Sequence, residues 1–573
     1  MSGTQNLAHK ASRGVAVTMG GLWGRALLQM LSTVVLARLL TPADFGLIAM
    51  VGSIMGIAEL VRDFGMTGAI IQAKNLSDRV WKSLLWVSAL IGIVLSVAVA
   101  LSAPLVAALY NEPRLVAITL FMAPGVFLSG LVMPLQAMAT KNLRFGLLAS
   151  LDISTMAAGV VAGIVAALLG AGFWSLVIMA GAQFIIRLVV LWSLVRPKWG
   201  PPRIVKETWP LLGTGGSIFG AELLGYAEKN LDNVIIGATL GPAALGQYSR
   251  AYALFLLPLQ QMNGPLGRVA LPVLSALRDE GDRYRRYIRS AALVIGYLTL
   301  PTYAVAAGVA QPLVRLLLGP GWEMAATLFS LLAIAGFAQA IGRLRTWLYI
   351  SLGHSHRQFV YDLVARPIVI AGFFFGIWWG GLPGLVLTYG ALSLILLVPG
   401  FGFAMRGTFV RPGDVALPII RPAIMAVLAF AGSWGASHLV IDTIAIVQVI
   451  VGMVGSLVII SPLFLLKSYR GDVGKLLGFV RSIRAPKARP AKTDAAADDA
   501  ETTEEMAAEL ANTETFSETA NEEQKTDEDR LIETEELTRR ARRAAAAAAD
   551  AGTAPASTTT KTADPQGDDS RHP

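Results

Sequence analysis

Long runs of apolar residues constrain this chain more than any other feature of its sequence. About fourteen of them are long enough to cross a bilayer as a helix. Each run should be helical, because lipid offers no hydrogen-bond partners to an exposed backbone. The overall composition, 54% hydrophobic and only 15% charged, agrees with this interpretation. We therefore predict an all-α polytopic membrane protein with about 14 transmembrane helices.

The basic residues of the connecting loops alternate between rich and poor along the chain. One set of loops carries Lys74, Arg79 and Lys82, and later the run Arg283-Tyr-Arg-Arg286. The intervening loops carry few basic residues and are glycine- or proline-containing turns. Basic loops remain on the cytoplasmic side. The alternation predicts an even number of spans in the cytoplasmic (inner) membrane, with both termini cytoplasmic.

A short internal repeat indicates two related halves. The segment Leu40-Thr-Pro-Ala-Asp-Phe-Gly46 resembles Leu240-Gly-Pro-Ala-Ala-Leu-Gly246, at an offset of roughly 200 residues that suits a six-helix half. Both copies fall on the predicted outer turn between the first two spans of a half. The same span direction in both halves predicts a parallel repeat, although chance similarity between two Pro-Gly turns is the alternative.

The chain is predicted to contain two six-helix lobes around a central cavity, followed by two C-terminal helices and a tail. The tail is rich in Ala, Thr, Glu and Asp, so it should be a largely disordered cytoplasmic segment. Within it, residues 533–549 could form a basic helix at anionic lipid or a solvated charge run. The predicted boundaries are 1–195 for the N-lobe, 196–208 for the linker, 209–406 for the C-lobe, 407–470 for the last two spans and 471–573 for the tail.

Several kinds of chemistry are excluded or unsupported by the sequence. Cysteine is absent, which rules out disulfides, thiolate catalysis and cysteine-ligated metals. No phosphate-binding loop of the Walker type and no hydrolytic or redox motif is present, so we expect no catalytic residue, no metal and no cofactor. The net charge of +9 fits basic cytoplasmic loops, so nucleic acid need not be invoked as a partner.

Charged residues inside the apolar runs are the candidates for function. A buried charge is costly unless it is paired or hydrated, so each one is a functional hypothesis. The charges concentrate in spans 1, 2, 7, 8 and 10, whereas spans 3, 4, 6, 9, 12, 13 and 14 are expected to be nearly free of them. This distribution predicts a polar cavity between the halves, where arginine forks suit phosphate oxygens. The alternative is that the acids only neutralise neighbouring bases and hold the halves together.

At this point the residues resemble a known family. The stretch Ala37-Arg-Leu-Leu-Thr-Pro-Ala-Asp-Phe-Gly-Leu-Ile-Ala-Met50 looks like the hallmark segment of polysaccharide-type flippases, and Phe64-Gly-Met-Thr-Gly-Ala-Ile-Ile-Gln72 continues the match. Leu271-Pro-Val-Leu-Ser275, the basic stretch 283–286 and Gly319-Pro-Gly-Trp322 extend it. The resemblance is to the polysaccharide transporter branch of the multidrug/oligosaccharidyl-lipid/polysaccharide exporter superfamily. It covers about residues 10–470 and is most similar to exporters of colanic or teichuronic acid units.

The resemblance implies alternating access by the two lobes and an undecaprenyl-diphosphate-linked oligosaccharide as the substrate. By helix position it implies that basic side chains in the cavity bind the anionic head group: Arg25, Arg62, Lys229, Arg250, Arg343 and Arg345. The acidic candidates for coupling to an ion gradient are Glu59, Asp63, Glu222 and Asp232.

The expected partners are membrane lipids and possible polymerase and glycosyltransferase enzymes. A cation-coupled multidrug exporter of the same superfamily and a membrane scaffold for polysaccharide-synthesis enzymes are the alternative functions. Deleting residues 485–573 would distinguish the scaffold from the flippase, because a scaffold should lose its function whereas a flippase should largely keep it.

Overall fold

The computed structural model describes residues 2–63, 67, 70, 77–142, 144–196, 200–201, 205, 208 and 216–484, and its regular elements in these ranges are helical. The helices are α1 (Ser2–Leu39), α2 (Pro42–Asp63), α3 (Asp78–Tyr110), α4 (Arg114–Lys141), α5 (Phe145–Leu168), α6 (Trp174–Val195), α7 (Gly216–Ala276), α8 (Gly281–Gly308), α9 (Ala310–Leu318), α10 (Glu323–Ser351), α11 (Ser355–Ile395), α12 (Leu397–Met405), α13 (Pro412–Leu439), α14 (Ala445–Ile460) and α15 (Lys467–Arg484), with a 3-10 turn at Ser461–Leu465.

Two of these helices each contain two predicted spans. Helix α7 bends at Gly241, where φ is +81°, and α11 bends at Gly380 and Gly381, where φ of Gly381 is +60°. Positive φ at Gly241 and Gly381 suits glycine, because other residues are strained there. Division at these bends separates residues 216–240 from 242–276 in α7, and residues 355–379 from 382–395 in α11.

Ten helices of the described part are both long and apolar enough to cross a membrane. Helices α1 and α7 are long but lie outside this group, which fits their content of polar and charged residues. These are two of the helices in which the sequence concentrates its intramembrane charges. The predicted all-α polytopic fold is confirmed.

The helices pack as two groups. Helices α1 to α6 pack mainly against one another, and so do α7 to α12, while α2 and α7 form the main contact between the groups. We refer to the groups as the first and second lobes. Helices α13 and α14 pack against each other, and α13 lies along α8 of the second lobe.

A charged cluster fixes the start of α13 to α8. The carboxylate of Asp414, 1% exposed, accepts a hydrogen bond from Arg285 Nε at 2.8 Å and pairs with the guanidinium of Arg289. It also accepts the backbone N–H of Arg411 at 2.9 Å, which caps the helix. The predicted freedom of spans 9 and 13 from charge is therefore wrong: each contributes arginine to an ion pair, Arg289 here and Arg421 at Asp472.

We expect Asp414→Asn to destabilise the protein by about 2–3 kcal/mol. Breaking a buried ion pair costs about 3–5 kcal/mol, and the half-exposed Arg289 reduces that figure. Thermal unfolding in detergent measures the change. Asp282→Asn is the matched control, because Asp282 is 87% exposed and 3.9 Å from Arg285, so its loss should cost under about 0.5 kcal/mol. Equal effects of the two substitutions would contradict the assigned role of Asp414.

The end of the chain departs from the predicted boundary. The tail was predicted to begin at residue 471, but α15 continues to Arg484 and buries Tyr469 and Asp472 against the bundle. The rest of the predicted tail, including residues 533–549, lies outside the described residues, as does most of the predicted 196–208 linker.

Candidate functional site

A polar cavity of about 560 Å³ lies inside the first lobe. The described lining residues come from α1, α2, α4, α5 and α6 of the first lobe. Its charged lining residues are Arg25, Glu59, Arg62, Asp63 and Arg187, joined by the polar residues Thr67, Ser129, Gln136, Thr140, Thr155 and Gln183.

Arg62 is the best-anchored basic residue of this cavity. Its guanidinium donates a hydrogen bond to the hydroxyl of Ser129 on α4, and its buried Nε has no partner among the described residues. Glu59 and Asp63 lie beside it on α2, and Asp63 accepts hydrogen bonds from the hydroxyl of Thr67 at 2.6 Å and from its N–H at 3.3 Å. Arg62 is therefore held in place and still has an unused donor.

Arg187 is a cavity residue that the sequence analysis missed. It lies on α6, within span 6, which had been expected to be nearly free of charge. Its guanidinium pairs with Asp152 of α5 at 2.6 Å. A lone arginine in an otherwise apolar span was the available signal, because such a residue needs a partner or water.

The described charges of the cavity are equal in number. Among the described residues, the lining holds three arginines and two carboxylates, and Asp152, the partner of Arg187, is the third carboxylate. Arg187 is already paired, whereas Arg25 is exposed. Arg25 and Arg62 are therefore the cavity residues best placed to bind an added anion such as a phosphate.

Four other predicted residues, Arg250, Arg343, Arg345 and Asp232, lie outside the described lining of this cavity. Arg250 lies between the lobes, with its guanidinium 4.7 Å from the ring centroid of Phe45. Arg345 stacks over Tyr361 at 4.6 Å and lies 3.9 Å from Asp362, within the second lobe. Arg343 is exposed on α10.

Asp232 is buried in α7 and accepts the hydroxyl hydrogen of Tyr248 at 2.5 Å. Glu222 and Lys229 lie on α7, and their side chains lie outside the described part.

The structure thus brings together Arg25, Arg62, Glu59 and Asp63, and it separates them from Arg250, Arg345 and Asp232. Their proposed roles in binding and coupling remain predictions.

The two copies of the internal repeat meet at one end of the bundle. A Cβ atom at Gly46 would overlap the carbonyl of Pro242, and one at Gly246 would overlap the carbonyl of Pro42. The contact is therefore reciprocal, as expected for two halves related by a parallel repeat. The small residues allow the backbones of α2 and α7 to approach closely. We call this end of the bundle, defined by residues 40–46 and 240–246, the repeat end.

Trp322 completes the closure of the repeat end. It belongs to the second lobe and is 1% exposed. Its indole N–H donates to the carbonyl of Ala37 at 3.0 Å, and its ring packs edge-to-face on Phe45 with centroids 5.5 Å apart. Arg38 of the first lobe donates to the carbonyl of Leu316 at 2.5 Å. The hallmark segment and the 319–322 motif, which are far apart in sequence, therefore form one contact between the lobes.

The cavity lies towards the opposite end. Arg62 is about 30 Å from Pro42 along α2, at about 1.5 Å per residue. The lobes are thus joined at the repeat end, and the charged cavity lies near the other end of α2. These features define the class: an all-helical multi-pass membrane protein built from two related lobes.

Comparison with known proteins identifies the family. The family described as "Polysaccharide biosynthesis protein" matches residues 35–327, just over half of the chain, and the chain belongs to it. The resemblance noted from the motifs is thereby confirmed.

The proteins similar to this chain include two relatives and one solved structure. The lipopolysaccharide biosynthesis protein WzxC of Escherichia coli is 27% identical over 327 residues, which cover 56% of this chain and 65% of WzxC, slightly under two thirds of its length. The teichuronic acid biosynthesis protein TuaB of Bacillus subtilis is 22% identical over 389 residues, or 66% of this chain and 80% of TuaB. A structure of the lipid II flippase MurJ in an inward closed conformation has a TM-score of 0.60 at 13% identity, covering 78% of this chain and 99% of that one. At this identity the likeness to MurJ concerns the fold alone.

Proposed function

We propose that this protein is a flippase that moves an undecaprenyl-diphosphate-linked oligosaccharide across the cytoplasmic membrane, for the synthesis of a cell-surface polysaccharide. The observation that carries the proposal is the polar cavity with Arg25 and Arg62 at the end of α2 opposite the closed repeat end. A head group could bind there while the repeat end prevents passage to the other side. Membership of the polysaccharide biosynthesis family supports this substrate class.

The mechanism follows from a two-state contact between the lobes. In the present state, the repeat end is closed by the Gly–Pro contacts and Trp322. Arg25 and Arg62 would bind the diphosphate, the sugars would occupy the hydrated space, and the lipid tail would remain in the bilayer. Rocking of the lobes would then open the repeat end and release the head group on the other side. The charge pattern of the loops makes the repeat end the outer end, with both termini cytoplasmic.

An ion gradient would supply the direction of transport, because the sequence contains no Walker-type loop for direct coupling to ATP. Within the cavity, Glu59 and Asp63 are the carboxylates placed beside Arg62. A cation bound there would compete with Arg62 for these carboxylates and so change the affinity for the diphosphate. Asp232 is the candidate in the second lobe, where Tyr248 holds it.

Reconstitution into liposomes tests the proposed function. The purified chain would be incorporated together with a fluorescent lipid-diphosphate-oligosaccharide, and a membrane-impermeant quencher would report its sidedness. We expect the fluorescent lipid of the inner leaflet to become accessible to the quencher only when the protein is present. Its exposure should be faster when a proton or sodium gradient is imposed. Transport of a cationic dye in place of this lipid would instead support the multidrug exporter. Absence of both activities in correctly folded protein would favour the scaffold.

We expect Arg62→Gln to reduce the rate of flipping about tenfold to a hundredfold. A hydrogen bond to a charged group contributes about 1.5–3 kcal/mol, and glutamine removes the charge while keeping a donor for Ser129. The initial rate at subsaturating substrate measures the effect. Arg283→Gln is the matched control, because Arg283 is an exposed arginine paired with Glu280 outside the cavity. An Arg62→Gln rate equal to that of the control would contradict the assignment.

A further inference from the structure

Helix α15 is fixed to the bundle directly after the last membrane helix. The 3-10 turn Ser461–Leu465 connects it to α14. The carboxylate of Asp472 is 1% exposed and accepts hydrogen bonds from Arg421 at 2.9 Å and from the hydroxyl of Tyr297 at 3.1 Å. The hydroxyl of Tyr469 donates to the carbonyl of Arg421 at 3.3 Å. These contacts hold one face of α15 against α8 and α13.

The other face of α15 presents basic residues to the surroundings. Lys467, Arg470 and Lys475 are exposed, Lys475 with 68% of its side chain accessible. At 3.6 residues per turn they fall within an arc of about 140° on the side of the helix opposite the buried Tyr469. Lys475 lies at the edge of this arc and also pairs with Asp472 at 3.4 Å. The anchored face therefore fixes the direction in which the basic face points.

The residues before α15 continue the exposed apolar surface of the last membrane helix. Leu465 and Leu466, which immediately precede it, are 72% and 53% exposed. They follow the apolar α14, so they continue the lipid-facing surface to the first residue of α15. Lys467 consequently lies where the hydrocarbon region gives way to head groups, and lysine and arginine favour that depth.

The charge of the segment is strongly one-sided. Between residues 467 and 493 the sequence contains one acid, Asp472, and that acid is buried beside Arg421. The same stretch contains eight basic residues: Lys467, Arg470, Lys475, Arg481, Arg484, Lys487, Arg489 and Lys492. A cluster of this size next to a membrane helix attracts anionic lipid.

We propose that α15 forms a binding surface for anionic lipid head groups of the adjacent leaflet, with Lys467, Arg470 and Lys475 contacting their phosphates. The occupant is lipid because the basic face begins at the exposed leucines, at the level of the head groups. The ion pair of Asp472 with Arg421 transmits this binding to α13, so bound lipid also stabilises the attachment of the last helices to the second lobe.

The test uses the full chain in neutral detergent, titrated with fluorescent cardiolipin or with fluorescent phosphatidylcholine. We expect saturable binding of cardiolipin that weakens as salt is raised, and much weaker binding of phosphatidylcholine. Substituting Lys467, Arg470 and Lys475 together by glutamine should weaken cardiolipin binding about tenfold to a hundredfold, since each basic residue contributes about 1 kcal/mol near an anionic surface. The matched control substitutes three exposed arginines near the starts of α3 and α8, Arg79, Arg283 and Arg286, and should change binding less than about threefold.

Three outcomes would overturn the proposal. The first is cardiolipin binding that the triple glutamine variant leaves unchanged. The second is competition by inorganic phosphate at equal charge, which would identify a free-anion site in place of a lipid surface. The third is binding seen only after residues 494–573 are deleted, which would show that the acidic tail occupies the surface. A thermal scan of each variant checks that the bundle remains folded, since Lys475 is exposed but also pairs with the buried Asp472.

Discussion

Replacing Gly46 with alanine will force the lobes apart at the repeat end, and we expect flipping to slow at least tenfold. The added Cβ overlaps the carbonyl carbon, the carbonyl oxygen and the Cα atom of Pro242, all of which belong to the backbone. No change of rotamer can relieve this overlap, and overpacking costs about 1–3 kcal/mol. The strain exists only while the repeat end is closed, so the equilibrium shifts towards the state open at that end.

The distance between the lobes at the repeat end measures this shift directly. The chain contains no cysteine, so spin labels at Leu39→Cys and Pro320→Cys would be the only labels attached. Both residues are exposed, and they lie in different lobes. We expect a longer distance in Gly46→Ala than in the parent. Gly52→Ala is the matched control on the same helix, because a Cβ at Gly52 meets nothing within 4 Å. An unchanged distance and rate in Gly46→Ala would refute the role of the contact.

Replacing Trp322 with alanine will remove the largest side chain of the same junction. Truncating a buried tryptophan costs about 3–5 kcal/mol, and here it also leaves the edge of Phe45 and the carbonyl of Ala37 without their partner. We expect a lower midpoint of thermal unfolding, a longer label distance at the repeat end and loss of most flipping activity. Gly46→Ala adds a steric clash between the lobes, whereas Trp322→Ala removes favourable contacts between them.

Two further variants separate the contributions of Trp322. Trp322→Phe keeps an aromatic ring and loses the indole hydrogen bond, so it should cost only about 1 kcal/mol. Trp378→Ala controls for tryptophan loss in general, because Trp378 is 81% exposed on the outside of α11. Stability and transport of Trp378→Ala should match those of the parent. If Trp322→Ala behaved like Trp378→Ala, closure of the repeat end would have to depend on other residues.

The all-helical fold and the repeat could be predicted from sequence for a simple physical reason. Membrane helices must be long and apolar, and backbone groups in lipid admit few other structures, so the runs reveal the spans. The repeat could be recognised because both copies contain a proline followed by a glycine four residues later, Pro42 and Gly46 in one copy and Pro242 and Gly246 in the other. Few other residues allow the close backbone contact found there. The sequence could not reveal that each glycine faces the proline of the other copy, since that requires knowing how the lobes are placed.

The cavity was harder to predict than the fold. Arg25 and Arg62 share a cavity with Glu59 and Asp63, and sequence placed these residues on spans 1 and 2. Which side chains line the cavity beside them depends on how far each helix is rotated about its axis, and the apolar runs contain little information about rotation. Arg187 was missed for the same reason, because its significance comes from Asp152, which lies on another helix 2.6 Å away. The extent of α15 could not be predicted from the sequence, because the helix is attached to the bundle through one buried acid, Asp472, whose partners lie on other helices.

The reciprocal contact between Gly46 and Pro242, and between Gly246 and Pro42, constrains how the two halves can evolve. After an ancestral duplication, each copy would retain one glycine that leaves room for the proline carbonyl of the other copy. Each copy would also retain a proline carbonyl that contacts the other copy's glycine. A larger residue at either glycine can persist only if the opposite backbone retreats, so drift in one half must be matched in the other. Natural variants should therefore change at these four positions in concert, even though about 200 residues separate the copies.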